Sequence, residues 1–420
     1  MEKTVHHEGM KIHLIKTDKY KTNTIVLKMK APINKDDATY RALLPYVLQS
    51  GTNTYPDYTE IRTFLENLYG CTLFVDLQKK GEYHIISITM EVANEKFLQD
   101  KKPLLNEALG LLADILLNPK IENHAFNEQI VAKEKRTLKQ RIQAVYDDKM
   151  RYANLRLIQE MCKNEPYFVP VNGFLEDVDP ITGEKLYAYY RRALNEDEID
   201  LYIVGDFNEQ ETLSFCKEKF QLASRKAREI QKDQERINIK ENVVIEKQEV
   251  AQGKLNIGFR TNITYGDDDY FALQVFNGLF GGFPHSKLFL NVRERESLAY
   301  YAASRLESHK GLLLVMTGIE SKNFDKTVKI IKEEFSAMQN GEFTEAEIEQ
   351  TKAVIQNQML ETLDTSRGLV EVLYHNVISG KTVTEEEWME KIKQVSRDDI
   401  LQVGKKIHLD TIYFLSGMEA

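Results

Sequence analysis

Apolar positions along the chain follow the strand period and the helix period in turn, and the order is similar in both halves. In the first half, alternation predicts strands and the helical period predicts amphipathic helices. The predicted strands lie within residues 9–32, 72–77, 83–90 and 199–207, and the predicted helices begin near residue 36 and cover residues 59–70, 96–119, 126–148 and 184–194. The first half therefore predicts an α+β fold.

The second half repeats this order. Its predicted strands lie at residues 242–249, 254–263, 299–307, 311–319 and 411–417, and its predicted helices at 270–280, 286–297, 323–339, 344–363 and 397–407. A charge-rich segment, residues 223–242, separates the halves and is interpreted as a linker between domains 1–222 and 243–420. Any α+β chain alternates strands with helices, but the shared order, spacing and closing pattern favour an internal duplication.

Composition excludes several functional classes for this chain. The chain has 420 residues, of which 42% are apolar and 29% charged, as in soluble globular proteins. A net charge of −9 argues against a nucleic-acid groove, because such grooves are basic. The three cysteines have no metal or disulfide spacing and are expected to be core thiols. No apolar run suggests a signal peptide or a membrane span, so cytoplasmic residence is expected.

A distinctive motif lies near the start of the second half. A Gly-rich turn at residues 278–282 is followed by an apolar helical run that begins Ser286-Lys287-Leu288-Phe289, and Arg293 precedes Tyr300 by seven residues. This stretch resembles the C-terminal half of the insulinase/pitrilysin family of zinc peptidases. The resemblance implies two similar LuxS/MPP-like domains that enclose a cleft, each a mainly antiparallel sheet with helices on one face.

The N-terminal half of that family carries His-x-x-Glu-His on a helix, followed by Gly-Thr. Here Gly51-Thr52 is present, but Ala42, Pro45 and Tyr46 occupy the three motif positions. Because proline lacks a backbone N–H and crowds the preceding turn, the helix is expected to kink or begin again there. The resemblance therefore implies a member that has kept one half of the active site and lost the other.

A catalytic zinc needs about three protein ligands, and alanine and proline have no donor atom. No metal is therefore expected on this chain, and it has no catalytic residue of its own. Glu134 best matches the family's third ligand, but without the histidines it is expected to be a solvated or salt-bridged surface acid. His124, four residues before Glu128, is the weak remaining candidate for a metal pair.

By resemblance, Arg293 and Tyr300 donate hydrogen bonds to substrate backbone carbonyls, and Gly281 and Gly282 give the backbone freedom that brings helix and strand together. The alternative is an exposed helix end and an ordinary strand aromatic. The family also implies that residues 72–78 form an edge strand that an extended peptide can join. The alternative is that residues 72–78 form an ordinary edge or core strand that binds no peptide.

The leading functional hypothesis is an accessory subunit that pairs with a zinc-bearing paralogue and helps it to bind a peptide or protein substrate. Zinc would then belong to the partner. The chain is similar to the metal-free member of a Gram-positive bacterial pair associated with aminopentanol modification of elongation factor P. The alternatives are a structural or peptide-holding scaffold and an independent peptidase with novel ligands.

Overall fold

The computed structural model of the chain describes residues 2–99, 102–225, 230 and 240–418. The described residues form two compact units. Unit 1 takes those within Met1–Ala144 and Val169–Gln231, and unit 2 those within Val145–Phe168 and Lys232–Ala420. Residues 145–168, which the sequence pattern placed with the first half, therefore group with the second. Most of the predicted linker, residues 226–229 and 231–239, lies outside the described residues.

The elements up to residue 219 include every predicted strand and helix, together with several that the pattern did not predict. The strands are β1 (Glu2–His7), β2 (Met10–Lys16), β3 (Thr22–Pro32), β4 (Thr72–Lys80), β5 (Tyr83–Ala93), β6 (Ile121–Glu122), β7 (Ala125–Phe126) and β8 (Glu198–Gly205). The α-helices are α1 (Lys35–Leu48), α2 (Tyr58–Asn67), α3 (Leu104–Leu117), α4 (Glu128–Asp147), α5 (Lys149–Met161), α6 (Gly183–Glu196) and α7 (Glu209–Lys219). Short 3₁₀ turns cover Glu95–Phe97, Pro166–Phe168 and Leu175–Asp177.

The remaining elements belong to unit 2. The strands are β9 (Asn242–Lys247), β10 (Gly253–Arg260), β11 (Ala299–Glu307), β12 (Leu312–Ile319) and β13 (His408–Ser416). The α-helices are α8 (Tyr270–Asn277), α9 (Phe324–Gln339), α10 (Glu345–Leu363), α11 (Ser366–Ser379), α12 (Glu385–Gln394) and α13 (Arg397–Lys406). Two segments, Gly278–Gly282 and Phe289–Arg295, are π-helical, and Ser321–Asn323 is a 3₁₀ turn.

The main sheets of the two units share the topology of five strands, and unit 1 adds β1 at one edge. Within the described residues, unit 1 has the strand order β1-β2-β8-β3-β5-β4 and unit 2 the order β9-β13-β10-β12-β11. Strands β2 and β8 are parallel, and so are β9 and β13. In unit 1 the pairs β8/β3, β3/β5 and β5/β4 are antiparallel, and in unit 2 so are β13/β10, β10/β12 and β12/β11. The predicted α+β class with mainly antiparallel sheets is confirmed. The common topology supports the predicted duplication, which stays a prediction.

The core of each unit lies between its sheet and a helical layer. In unit 1, alternate residues of β3 (Ile25, Leu27 and Met29) are buried in one cluster with apolar residues of α1 and α3. In unit 2, alternate residues of β10 (Leu255, Ile257 and Phe259) are likewise buried in one core cluster. Cys71, Cys162 and Cys216 are all buried, as expected of core thiols. None of the described helices is both long and apolar enough to cross a membrane.

Helix α5 covers part of the opposite face of the unit 2 sheet, where it packs on β10 and β13. A side chain at Gly258 of β10 would meet the sulfur of Met161 at 2.1 Å, so only glycine lets the helix lie this close. Tyr152 of α5 donates a hydrogen bond to Glu246 of β9 at 2.6 Å. Side chains and backbone therefore attach residues 145–168 to unit 2.

A buried histidine makes the stability of unit 1 pH-dependent. His13 of β2 is hydrogen-bonded to Asp200 of β8 at 3.0 Å and to Glu2 of β1 at 2.7 Å, and its ring stacks on Tyr202. Burial lowers the pKa of His13, but the two carboxylates outweigh it and hold the pKa above the ordinary value of 6.5.

The stabilisation from His13 is therefore complete below pH 6.5 and declines as the pH rises through the higher folded-state value. We expect the thermal midpoint of His13→Gln to lie below that of the wild type. The gap between the two midpoints should be larger at pH 5.5 than at pH 8.5. Thermal unfolding followed by circular dichroism checks this expectation, and a constant difference between the two proteins across that range would contradict it.

Candidate functional site

The helix at the degenerate metal motif, α1, is held by a buried arginine. The guanidinium of Arg41 donates to Asp197 Oδ2 at 2.6 Å and to the hydroxyl of Tyr189 at 3.2 Å. It also donates to the carbonyls of His84 and Met29. These bonds tie α1 to α6 and to neighbouring strands of the sheet, because their acceptors lie on or beside those elements. The position of the motif residues in unit 1 is thereby fixed.

Pro45 lies inside a continuous helix, so the helix does not begin again at this residue. Proline removes the N–H that would bond to the carbonyl of Arg41. However, Ala42, Leu43 and Leu44 are all buried in the core of unit 1. Packing of this face and the bonds of the Arg41 side chain offset the missing backbone bond, and the helix continues to Leu48.

The acid matched to the third ligand is not a surface acid. Glu134 of α4 is only 8% exposed, and its carboxylate lies 3.7 Å from Lys133 Nζ. Burial contradicts the expectation of a solvated surface acid, whereas the contact with Lys133 agrees with the salt-bridged alternative. The apolar residues Val131 and Leu138 of α4 are also buried, and Glu134 lies between them on the inward side of the helix.

These residues do not fit a zinc ion. Ala42 and Pro45 have no donor atom, and the phenol of Tyr46 keeps its proton because burial raises its pKa further. Nowhere in the part of the chain that the structure describes do three or more His, Cys, Asp or Glu side chains cluster as metal ligands would. The weak pair His124 and Glu128 is also not on one helix face, because His124 lies before α4, between β6 and β7.

Glu128 has a structural contact instead. Its Oε1 accepts a hydrogen bond from the backbone N–H of Gly183 at 2.7 Å, at the start of α6. His124 has a positive φ of 60° in the turn, and its ring faces Tyr187 at 6.2 Å. The pair therefore joins α4 to α6, and we assign it no metal-binding role.

In unit 2 the Gly-rich turn is π-helical and closely packed. A side chain at Gly281 would meet Ser304 of β11 at 2.6 Å, and one at Gly282 would meet the amide nitrogen of Asn277 at 3.0 Å. Ser304 donates to Asn277 Oδ1 at 2.7 Å, which joins the strand to the end of α8. Glycine is required at position 281 because β11 approaches the turn too closely there for a side chain.

Arg293 and Tyr300 are both accessible. Arg293 lies in the last turn of the second π-helical segment; its side chain is 41% exposed, and its guanidinium contacts the ring of Phe289. Tyr300 is the second residue of β11 and is 86% exposed. The register of β11 against β12 shifts between Ala299 and Ala302, so Tyr300 falls at a β-bulge.

Comparisons with known proteins agree with this architecture. Residues 180–355 match the family model described as "Peptidase M16 inactive domain". The chain is 54% identical to "Probable inactive metalloprotease YmfF" of Bacillus subtilis over 98% of this chain and 97% of that protein. The chain belongs to the M16 peptidase family.

Two further comparisons cover most or all of the chain. "Uncharacterized zinc protease YmxG" of Bacillus subtilis is 23% identical over 72% of each chain. The crystal structure of a conserved protein from Enterococcus faecalis superposes with a TM-score of 0.91 and 36% identity, covering 100% of this chain and 99% of that one. The predicted insulinase-type membership is confirmed, and together with the missing motif residues these comparisons show an inactive M16 protein.

Sequence analysis missed one residue at the degenerate M16 site. Arg141 of α4 places its guanidinium carbon 3.3 Å from the centroid of the Tyr46 ring. Arg141 follows Glu134 by seven residues on a predicted helix. Residues two turns apart share a face, so this spacing could have placed Arg141 on the same side as Glu134. No local motif indicated that this face meets the helix of Tyr46.

Proposed function

We propose that this M16 protein is a non-catalytic subunit that pairs with a zinc-bearing paralogue and helps it to bind peptide substrates through Arg293 and Tyr300. The single observation that supports this proposal best is the exposed phenol of Tyr300, placed at a bulge on the edge of the described sheet. Bulges are over-represented next to active sites, where they re-aim a side chain.

Each side chain has a defined role in this proposal. The guanidinium of Arg293 is always charged and can donate to two oxygens of a peptide backbone. The Tyr300 hydroxyl is a neutral donor for the carbonyl under attack, where negative charge develops. The partner's zinc, when bound, supplies the activated water that Ala42, Pro45 and Tyr46 cannot supply. This chain therefore binds and orients the substrate, and the partner carries the metal.

The local backbone supports the proposal. Arg293 and the Gly281-Gly282 pair lie in π-helical segments, a rare conformation that is frequent at functional sites. We propose that Gly281 lets the π-helical turn lie against β11 and so positions the strand that carries Tyr300, while Gly282 lets the turn lie against Asn277.

The comparisons also support a division of labour between two chains. Bacillus subtilis has a relative named as an inactive metalloprotease and another named as a zinc protease. One genome can therefore encode both an inactive metalloprotease and a zinc protease. We also propose cytoplasmic residence, which the buried free thiols of Cys71 and Cys216 support.

Substitution of the two donors tests the proposal. When the chain is reconstituted with a zinc-bearing paralogue, we expect Arg293→Ala to lower kcat/KM for peptide hydrolysis about 10- to 100-fold, as loss of a charged hydrogen bond does. Tyr300→Phe removes a neutral bond, and we expect a decrease of about threefold to tenfold. The measurement is the initial rate of cleavage of a fluorogenic peptide.

Two neighbours serve as matched controls. Arg295→Ala removes an exposed arginine from the same π-helical segment, and Tyr301→Phe removes a buried hydroxyl that has no hydrogen-bond partner among the described residues. Both controls should retain activity within about twofold of wild type, since neither group is placed to contact substrate. Equal losses in controls and test variants would contradict the roles of Arg293 and Tyr300.

A peptide-holding scaffold with no role in hydrolysis is the second candidate. Strand β4, which contains the predicted residues 72–78, lies at the edge of the described unit 1 sheet and pairs with β5 on its other side. An extended peptide could add to such an edge through backbone hydrogen bonds. Full activity of the Arg293→Ala and Tyr300→Phe variants in the reconstituted pair would favour this function.

A further inference from the structure

Strand β9 forms an open edge of the unit 2 sheet. In unit 1 the matching strand, β2, pairs on its outer side with β1 in an antiparallel arrangement. Among the described residues, β9 has β13 on its inner side and no strand on its outer side. The backbone N–H and C=O groups along this edge can therefore pair with an additional strand. Unit 1 shows that the fold accommodates an antiparallel strand at this position.

The side chains of β9 leave this edge unprotected. Natural edge strands are usually blocked by bulges, prolines or charged side chains in the strand. The register of β9 against β13 has no bulge over its whole length, and β9 contains no proline. Val243 and Ile245 of β9 are exposed, whereas Ile412 and Phe414, which lie opposite them on β13, are buried in the core of unit 2. The apolar face of the sheet therefore continues uncovered to its edge.

The residues on this face make the edge complementary to itself. Side chains alternate between faces along a strand, so Glu241, Val243, Ile245 and Lys247 lie on the same face. When two copies of β9 pair antiparallel with Val244 opposite Val244, Val243 of each copy lies opposite Ile245 of the other. Glu241 then lies opposite Lys247. A shift of the register by two residues in either direction places a charged side chain opposite Val243 or Ile245.

We propose that this chain forms a twofold homodimer in which the β9 edges of two copies pair antiparallel, with Val244 at the twofold axis. The two apolar pairs extend the apolar face of the sheet across the interface, and an ion pair flanks them at each end. Glu241 also pairs with Lys332 of its own α9 at 2.8 Å, and Lys247 of the partner subunit adds a second cation to it. The proposal goes beyond the function proposed above and does not depend on a zinc-bearing paralogue.

The oligomeric state of the isolated chain tests this proposal. Sedimentation equilibrium over a range of concentrations should give a mass that rises to twice that of one chain. Ile245→Lys places a cation opposite Val243 of the partner subunit. We expect it to weaken dimerisation at least about tenfold, because each substitution occurs twice in a twofold dimer. Leu360→Lys, at an exposed apolar position of α10, is the matched control and should dimerise within about twofold of wild type.

Charge reversal tests the register. Glu241→Lys and Lys247→Glu each place like charges opposite one another, so each variant alone should dimerise at least about tenfold more weakly than wild type. The double variant restores opposite charges and should regain most of the affinity. An equimolar mixture of the two single variants should also associate, because both of its ion pairs then carry opposite charges. Within one strand these residues lie about 20 Å apart, so they cannot produce this rescue by contacting each other.

Folding of the variants is measured in parallel, because a misfolded chain would also fail to dimerise. The four substituted positions are exposed, and the thermal midpoints should stay within about 2 °C of wild type. The proposal is overturned if the wild type stays monomeric up to its solubility limit, or if Ile245→Lys dimerises as well as wild type. It is also overturned if the double variant and the mixture stay as weak as the single variants.

Discussion

Replacing Arg41 by methionine is expected to lower the free energy of unfolding by about 3–5 kcal/mol, as removal of one partner from a buried ion pair does. Arg41 is only 2% exposed and Asp197 4%. Without the guanidinium, the carboxylate of Asp197 stays buried, and the carbonyls of Met29 and His84 lose a donor. Urea unfolding followed by circular dichroism measures the change.

The matched control for this prediction is Arg62→Met. Arg62 is an exposed residue of α2 that pairs with Glu66 at 3.9 Å, and such pairs contribute about 0.5 kcal/mol or less. The double variant Arg41→Met/Asp197→Leu should recover much of the stability, because it leaves no isolated charge. A change below about 1 kcal/mol for Arg41→Met would show that the network does not hold α1 in place.

The second large effect is expected in unit 2, at Arg260. Its guanidinium donates to Glu165 Oε1 at 2.6 Å, to Asp410 Oδ2 at 2.7 Å and to the carbonyl of Met161 at 2.7 Å. Lys310 also contacts Glu165, at 2.7 Å. Arg260→Met should therefore cost about 3–5 kcal/mol, because two buried carboxylates lose their shared partner.

This effect should depend on pH in a definite direction. Burial raises the pKa of Glu165, but hydrogen bonds from Arg260 and Lys310 outweigh it and hold the pKa below the ordinary value of 4.5. The stabilisation is therefore present above pH 4.5 and is lost as the pH falls through the lower folded-state value. Urea unfolding at pH 7 and at pH 4 should give a smaller difference between wild type and Arg260→Met at pH 4.

Arg151→Met is the control for Arg260. It is an exposed residue of α5 that pairs with Asp148 at 3.3 Å, and its loss should change stability by less than about 0.5 kcal/mol. Hydrogen exchange adds a local measurement, since Arg260→Met should speed exchange of the α5 amides more than Arg151→Met does. Unchanged exchange in α5 would contradict the proposed anchoring of this helix.

Much of the fold could be predicted from the sequence because its periods are strong. Strands β3 and β5 and helix α9 lie where the pattern predicts them. Strand β1 was missed, because its side chains are mostly exposed or half-buried and show little apolar alternation. Helix α12 was also missed, although Thr384 and Glu387 form a capping box that is visible in the sequence.

The degenerate site was only partly predictable. The identities at positions 42, 45 and 46 sufficed to predict the absence of zinc ligands. The burial of Glu134 and the position of Arg141 over Tyr46 depend on how α4 meets α1, and no local pattern specifies that contact. Helix α5 was not predicted, and no local pattern specifies the sheet against which it packs. Gly258 inside a strand was the one available signal of a close neighbour.

The affiliation of residues 145–168 limits how this chain can be divided experimentally. A cut in the segment 223–242 would leave α5 attached to the N-terminal fragment and would expose Gly258 and Arg260 to water on the C-terminal one. Neither fragment would then be a self-sufficient folding module. The two pieces would instead be complementary, and their recombination would depend on one helix docking onto the sheet from which it was separated.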